Sequence, residues 1–363
     1  MTLRPTLRPR HLLLLLLALA ILMPASAVAG KGGVTKRDNG GIDPTSVPLL
    51  DADLESVEKL AVAPSSDRLT EASLTVAEPV GTEAASLWPT GKGVLIAVID
   101  GGFSLKHPAI AGRIASHGYD FVDGDADVED LGNGIDDDGD GVVDAAVGHG
   151  TFVAGQILSV APDATILPLR ARNDEGLGSN QALVDAVEYA VAAGADVINL
   201  SVHPAEAKMK KVRSTLDKAW VNGILIVVAA GNEGLEYSLN ELAYGESRIA
   251  VGAVDATRRI AAFSNYHLGA TNTASMLFAP GVDLYGPLGT PTFDANGTWS
   301  GTSFAAAIVS GAAAVALERH PDMGPDSIRK LLLYYSVDPI LTPAGEPIAD
   351  LEGCINLEKV MAQ

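Results

Sequence analysis

Three short stretches of the chain each place one chemically reactive side chain among small neighbours. They are Ala97-Val98-Ile99-Asp100-Gly101-Gly102, Gly148-His149-Gly150-Thr151 and Gly301-Thr302-Ser303-Phe304-Ala305. A serine hydroxyl barely ionises at neutral pH, so it becomes a nucleophile only beside a base. A neutral imidazole can accept the proton, and a carboxylate on the far ring nitrogen fixes the tautomer. The three residue types therefore match what nucleophilic catalysis by a serine requires.

Each reactive residue also has a plainer interpretation when it is taken alone. Asp100 could cap the turn after a strand, and His149 could form a hydrogen bond at the start of a helix. Ser303 could be a helix N-cap, because serine is favoured there. Asn232 could be a turn residue, because its glycine neighbours favour a turn. If all four interpretations were correct, four independent structural residues would match the requirements of catalysis by coincidence.

The elements that must position these residues follow from the apolar pattern. Val94–Ile99 is a continuous apolar run, which is typical of a strand buried on both faces. Similar runs predict strands at Thr165–Leu169, Val197–Leu200, Ile224–Ala229 and Ile249–Val254. Helical spacing predicts helices at Asn180–Ala193 and Ala207–Asn222, and the small apolar residues of Phe304–Leu317 predict a buried helix. This alternation predicts an α/β fold of three layers, with a mostly parallel central sheet and helices on both faces.

At these motifs the sequence resembles the subtilisin-like serine proteases, the subtilases. The resemblance runs from about residue 84 to residue 360 and keeps the order Asp, His, Ser. It also includes GYDFVDGD from Gly118, DVINLS from Asp196, AAGNEG from Ala229, AVGAVD from Ala250, FSNY from Phe263 and APGVDLY from Ala279. The resemblance implies a serine endopeptidase that hydrolyses peptide bonds through an acyl-enzyme intermediate.

The resemblance also assigns a role to each motif residue. Ser303 would be the nucleophile, His149 the general base, and Asp100 the carboxylate that orients the imidazole. The side-chain amide of Asn232 would donate to the oxyanion, together with the first amides of the helix that follows Ser303.

Substrate binding in this family resembles β-strand addition, in which the peptide backbone pairs with strands of the protein. The matching positions are Gly176-Leu177-Gly178 on one side and Ser201-Val202-His203 on the other. Val202-His203 stands where the family usually has Leu-Gly, so the His203 side chain either approaches the pocket or points outward. Ala229-Ala230-Gly231 would form an apolar pocket wall, which predicts uncharged P1 residues.

An acidic insertion at 125–145 suggests a metal site. Asp136, Asp138, Asp140 and Asp144 follow the first nine places of a calcium loop, but Val147 stands where such a loop has a bidentate Glu. Asn133 could instead begin a different loop geometry, and a solvated acidic loop is the simpler alternative. We expect structural calcium here, because unliganded carboxylates would repel one another.

The beginning of the chain has the pattern of an export signal. Arg4, Arg8 and Arg10 precede an apolar run and then small residues, which predicts a signal peptide at 1–29. Residues 30–85 are polar and predict a mobile pro-segment or linker, so the catalytic domain would span 86–363. Cys354 is the only cysteine. The predicted location is secreted or periplasmic, in a fold without internal disulfides.

The charge and composition of the chain limit the classes of molecule that it is expected to bind. The net charge of −20 argues against nucleic acid as a partner, because phosphates would be repelled. We expect protein or peptide substrates, no membrane association after signal removal, and a monomer. One alternative is an exported, calcium-dependent peptide-binding protein without catalysis. An α/β-hydrolase esterase is disfavoured, because no G-x-S-x-G elbow surrounds Ser303 and the aspartate precedes the histidine.

Overall fold

The computed structural model describes residues 88–203, 209–267, 274–289, 294–335, 337–348 and 353–362. The predicted signal peptide and pro-segment lie outside the described residues. No helix within these ranges is both long enough and apolar enough to cross a bilayer.

The described strands form one large sheet and one separate hairpin. The strands of the large sheet are β1 Leu95–Asp100, β2 Tyr119–Asp120, β3 Thr165–Arg170, β4 Val197–Leu200, β5 Leu225–Ala229, β6 Gly245–Val254, β7 Ala274–Pro280, β10 Val337–Asp338 and β11 Cys354–Ile355. Their spatial order is β10-β11-β7-β6-β5-β4-β1-β3-β2. Neighbouring strands are parallel except β10 and β11, which are antiparallel. The hairpin consists of β8 Leu284–Pro287 and β9 Asn296–Trp299.

Helices cover both faces of the sheet. They are α1 His149–Val160, α2 Asn180–Ala192, α3 Lys210–Val221, α4 Thr302–Arg319, α5 Pro325–Lys330 and α6 Leu357–Ala362. Along β1, Ile96 and Val98 pack into a core with α1 and α4. The alternate residues Ala97 and Ile99 pack into a second core with α2 and α3. The alternation of strand side chains produces these two cores, and the predicted three-layer α/β fold is confirmed.

The parallel sheet brings the ends of distant strands to one edge. β1 ends at Asp100, β4 is followed by Ser201, and β5 is followed two residues later by Gly231. Because β1, β4 and β5 are parallel neighbours, the residues after them lie side by side. In open α/β sheets, this carboxyl edge is where ligands bind.

The predicted elements are present, with small changes at their ends. The helix predicted at Ala207–Asn222 is α3, observed as Lys210–Val221, and Ala207 lies outside the described residues. The strand predicted from Ile249 begins earlier, at Gly245, and its pairing with β7 is irregular between these two residues. The buried helix predicted after Ser303 is α4, in which every residue from Thr302 to Leu317 is buried.

Candidate active site

The carboxylate of Asp100 and the imidazole of His149 form a hydrogen-bonded pair. Asp100 is the last residue of β1 and is 2% exposed, while His149 is the first residue of α1. His149 Nδ1 lies 2.8 Å from Asp100 Oδ1, which also accepts a 2.7 Å bond from the amide of Gly101. A carboxylate can only accept here, so the proton belongs on Nδ1. Nε2 is then the ring nitrogen that can accept a proton.

The surroundings of His149 make its imidazole more basic. Burial has the largest influence and lowers the pKa of His149. The charge and hydrogen bond of Asp100, together with the charge of Asp130, outweigh burial and hold this pKa above its ordinary value. A base stabilised in its charged form suits proton transfer from a hydroxyl.

The glycines around His149 allow α1 to begin against the end of β1. A Cβ on Gly150 would lie 2.2 Å from the carbonyl oxygen of Gly102 and 3.3 Å from Asp100 Oδ1. Gly148 has a φ of +89°, and a Cβ there would lie 2.5 Å from the carbonyl oxygen of Leu288. Neither position accommodates a larger residue without displacing backbone.

Ser303 occupies the first turn of α4, and this turn contacts the imidazole through the residue after Ser303. The ring of the next residue, Phe304, lies 5.4 Å from the ring of His149. Ser201 Oγ donates a 3.0 Å bond to the backbone carbonyl of Ser303 and so ties this turn to the end of β4. No hydrogen bond joins Ser303 Oγ to His149 within the described ranges. In unliganded sites such bonds are often long, and they tighten when substrate binds.

Asn232 is fixed against the same turn by its side-chain oxygen. Asn232 Oδ1 accepts 2.9 Å bonds from both the backbone amide and the hydroxyl of Thr302. The hydroxyl of Thr302 also accepts a 3.2 Å bond from the amide of Gly231. Thr302 therefore fixes the orientation of the Asn232 amide group through Oδ1. The Nδ2 donors of Asn232 take no part in these two bonds.

The segment after β4 combines two buried residues with one exposed residue. Ser201 and Val202 are buried, and the carbonyl of Val202 accepts a 2.9 Å bond from Asn240 Nδ2. The His203 side chain is 56% exposed, and its Nε2 lies 3.6 Å from Glu233 Oε1. The His203 side chain therefore lies at the surface, next to Glu233, which directly follows Asn232 in the chain.

The other predicted substrate-binding residues lie in two places. Leu177 is 45% exposed between Gly176 and Gly178, and its carbonyl accepts a 2.7 Å bond from the amide of Asn173. A Cβ on Gly178 would lie 2.3 Å from the carbonyl of Ala171. The second place is the end of β5, where Ala229, Ala230 and Gly231 are buried beside α4.

Three of the four predicted metal ligands lie together. Asp136, Asp138 and Asp140 each offer a carboxylate oxygen, and these oxygens lie within 4.8 Å of one another. Asp144 lies outside this group, and its carboxylate accepts bonds from the amides of Asn133 and Gly134. The structure thus brings together the first three carboxylates and turns Asp144 toward the start of the same loop.

Sequence reasoning missed two buried charges beside this site. Asp130 is 3% exposed and accepts a 2.5 Å bond from the amide of Gly148. Arg172 is also 3% exposed, and it donates to the carbonyl of His203. Burial lowers the pKa of Arg172 to about 10, and the charge of Asp100 opposes this shift. Nothing in the sequence separates Asp130 from its exposed acidic neighbours, because only the fold buries it.

Comparisons with known proteins agree with this geometry. The model of the subtilase family matches residues 91–346. A thermophilic serine proteinase of Bacillus sp. strain AK1 is 38% identical over 250 residues, which are 65% of this chain and 56% of that protein. Subtilisin DY of Bacillus licheniformis is 31% identical over 280 residues, which are 74% of this chain and 90% of that protein. A solved protease structure from Pseudoalteromonas arctica PAMC 21717 has a TM-score of 0.64 and 26% identity, and the match covers 76% of this chain and 91% of that one.

Proposed function

Because this chain belongs to the subtilase family, a family of serine endopeptidases, we propose that it is a secreted enzyme that hydrolyses peptide bonds. Asp100, His149 and Ser303 are its catalytic triad. The observation that carries the proposal is the 2.8 Å bond between Asp100 Oδ1 and His149 Nδ1, on an imidazole that lies beside the first turn of α4. That bond leaves Nε2 as the ring nitrogen that can accept the proton of Ser303.

Proton transfer and nucleophilic attack follow from this arrangement. His149 Nε2 accepts the proton of Ser303 Oγ as this oxygen bonds to the carbonyl carbon of the substrate. The imidazolium then gives the proton to the departing amine, and the carbon–nitrogen bond breaks. Water enters with His149 again as the base, and it hydrolyses the acyl-enzyme ester. Asp100 stays ionised throughout and stabilises the imidazolium.

The negative charge on the substrate oxygen needs donors that are already in place. Asn232 Nδ2 supplies one, because Thr302 holds the other end of the amide. The backbone amide of Ser303 supplies another. The amides of Phe304 and Ala305 already donate to the carbonyl of Gly301, and the Thr302 amide donates to Asn232 Oδ1. The dipole of this 18-residue helix favours negative charge at the same end. Removing one preorganised donor of this kind raises the barrier by about 3 kcal/mol.

Substrate backbone would pair with the segments 176–178 and 201–203 as an added strand. The P1 side chain would enter beside Ala229, Ala230 and Gly231, and this wall favours uncharged residues because it offers only methyl groups and backbone. His203 and Glu233 would stand at the rim of that pocket, because their side chains are 56% and 39% exposed and Glu233 directly follows Asn232.

A calcium ion fits the cluster of Asp136, Asp138 and Asp140. Calcium prefers carboxylate oxygens, and this cluster offers three of them within bridging distance. The hydrogen bond from the Asp140 amide is the largest influence on the pKa of Asp138 and lowers it. Desolvation and the charges of Asp140 and Glu175 act in the other direction, and the net result is a raised pKa. A bound cation would relieve this repulsion, and its role would be to hold the loop in place.

Secretion rests on the amino-terminal sequence, where a basic start precedes an apolar run and small residues. Because the chain spans little more than half of the Bacillus AK1 proteinase, its natural substrates are proposed only as a class, namely proteins and peptides.

Cleavage of casein and of a peptide library by the mature protein tests this proposal. We expect turnover by the wild type, a preference for uncharged P1 residues, and at least a thousandfold loss in Ser303→Ala. Equal cleavage by the variant, or peptide binding by the wild type without any turnover, would exclude the proposed function.

A further inference from the structure

Asp130 lies buried at the turn that begins the helix of His149. Its Oδ2 accepts a 2.5 Å hydrogen bond from the amide of Gly148, the residue just before His149. Gly148 adopts a left-handed conformation that L side chains rarely enter. The Asp130 carboxylate therefore holds the backbone amide of the N-cap residue of α1.

The same carboxylate packs against the turn that follows Asp100. A Cβ on Gly102 would lie 3.1 Å from Asp130 Cα and 3.2 Å from Asp130 Oδ1. Asp130 thus fills the space between the end of β1 and the start of α1, the two elements that carry Asp100 and His149.

We propose that Asp130 is a positioning residue for the catalytic base, because it holds the turn before His149 and supplies a second negative charge to the imidazole. The catalytic part of this inference rests on the proposed function. The effect on the imidazole does not, since it can be measured without turnover.

Among the described residues, three charged groups act on the Asp130 carboxyl. They are Asp100, His149 and Arg170, and Arg170 is itself bonded to the carboxylates of Asp120 and Asp123. The other side of the imidazole faces the rings of Trp299 and Phe304, which carry no charge. The imidazolium therefore depends on Asp100 and Asp130 for its negative surroundings.

The ionisation of Asp130 gives this arrangement a dependence on pH. Burial, the largest influence, and the charge of Asp100 raise the pKa of Asp130 to about 6, while the Gly148 hydrogen bond, His149 and Arg170 oppose the rise. As the pH falls below about 6, the carboxyl gains a proton and the imidazole loses its second counter-charge. The two groups therefore titrate as a coupled pair.

Titration of the His149 ring by NMR in a Ser303→Ala background tests the inference without catalysis. Asp130→Asn keeps an oxygen acceptor for the Gly148 amide and removes only the charge. We expect it to lower the pKa of His149 by about one unit. Asp127→Asn is the matched control, because Asp127 is exposed on the same segment, and it should leave this pKa unchanged.

Activity measurements distinguish the effect of the Asp130 charge from the effect of its hydrogen bond to Gly148. In the active enzyme, Asp130→Asn should move the acid limb of kcat/KM to lower pH, while Asp130→Ala, which also removes the acceptor, should lower kcat by about 10- to 100-fold. An unchanged His149 pKa in folded Asp130→Asn would overturn the inference. If Asp130→Asn shifts the His149 pKa but the enzyme with Ser303 intact cleaves nothing, the proposed function is refuted and the inference about the imidazole stands.

Discussion

At the scale of single residues, Thr302 links the nucleophile to the oxyanion donor. It is fully buried and directly precedes Ser303, and its amide and hydroxyl both donate to Asn232 Oδ1. Its hydroxyl also satisfies the amide of Gly231. One side chain thus fixes the direction of the Asn232 amide relative to the serine, which is the preorganisation that electrostatic catalysis requires.

Replacing Thr302 with Val keeps the shape and removes the hydroxyl. We expect kcat to fall about tenfold, about 1.4 kcal/mol of barrier, with KM little changed. The unpaired Gly231 amide should also cost about 1–3 kcal/mol of unfolding free energy. Steady-state kinetics and thermal unfolding measure the two effects.

Thr302→Ser is the control, since it retains the hydroxyl and should stay near wild type. Asn232→Ala marks the full loss of the donor, at about 10²- to 10³-fold in kcat. A Thr302→Val enzyme with undiminished kcat would show that Thr302 does not orient Asn232.

At the scale of elements, the site depends on how closely α1 and α4 approach the carboxyl edge of the sheet. A chain of buried hydrogen bonds joins α4 to β4: Ser310 donates to Asn199, Asn199 to Ser201, and Ser201 to the carbonyl of Ser303. On the other side, Gly150 lets α1 approach β1. These contacts bring residues 100, 149 and 303, far apart in sequence, to one place.

Gly150→Ala should separate Asp100 from His149. The new Cβ would lie 2.2 Å from a backbone oxygen of Gly102, which cannot move aside as a flexible side chain can. We expect kcat to fall by about 100-fold, because a displacement near 1 Å costs that much, together with a lower Tm. Gly112→Ala, where a Cβ would meet nothing within 4 Å, is the matched control. Equal activity in the two variants would contradict this explanation.

The sequence allowed the elements around the motifs to be predicted, because buried parallel strands and buried helices are long apolar runs. It did not reveal β10 and β11, which are two residues each and exist only through pairing. Asp144 shows the same limit, because its spacing matched a ligand position while its backbone folds it onto the amides of Asn133 and Gly134. Local spacing can suggest ligands, but tertiary contacts decide which carboxylates meet.

At the scale of the whole molecule, acidic groups set how stability responds to the medium. The net charge of −20 is high for a chain of 363 residues, and like charges destabilise a compact state. The Asp136–Asp140 loop concentrates part of this charge in the segment that leads to His149. A cation bound there would stabilise the folded state and be absent from the unfolded one.

Chelation should therefore lower Tm more than it lowers activity at low temperature. Losing an ion present at a hundred times its Kd costs about 2.7 kcal/mol of unfolding free energy. Calorimetry with and without excess chelator measures this loss, and Asp138→Asn should reduce the response. A melting curve that chelator leaves unchanged in the wild type would remove the calcium assignment.

Asp130 should make stability depend on pH in a definite direction. Its pKa is about 6 in the folded protein against 3.8 as the ordinary value, so folding favours its protonated form. This contribution is complete below about pH 4 and is lost as the pH rises through 6. Asp130→Asn should therefore raise the free energy of unfolding at pH 8 by up to about 3 kcal/mol, which thermal unfolding would show as a higher Tm. The gain should vanish near pH 4. A gain independent of pH would contradict the assignment of a buried, ionising carboxyl.

Labelling of the mature protein with a fluorophosphonate tests the triad most directly, because the reagent reacts far faster with an activated serine than with an ordinary one. Intact mass and peptide mapping should show one adduct, on Ser303, that is absent from Ser303→Ala and forms at least a hundredfold more slowly in His149→Ala. A folded wild-type protein with no adduct on Ser303, or with the same rate of labelling after loss of His149, would contradict the catalytic triad.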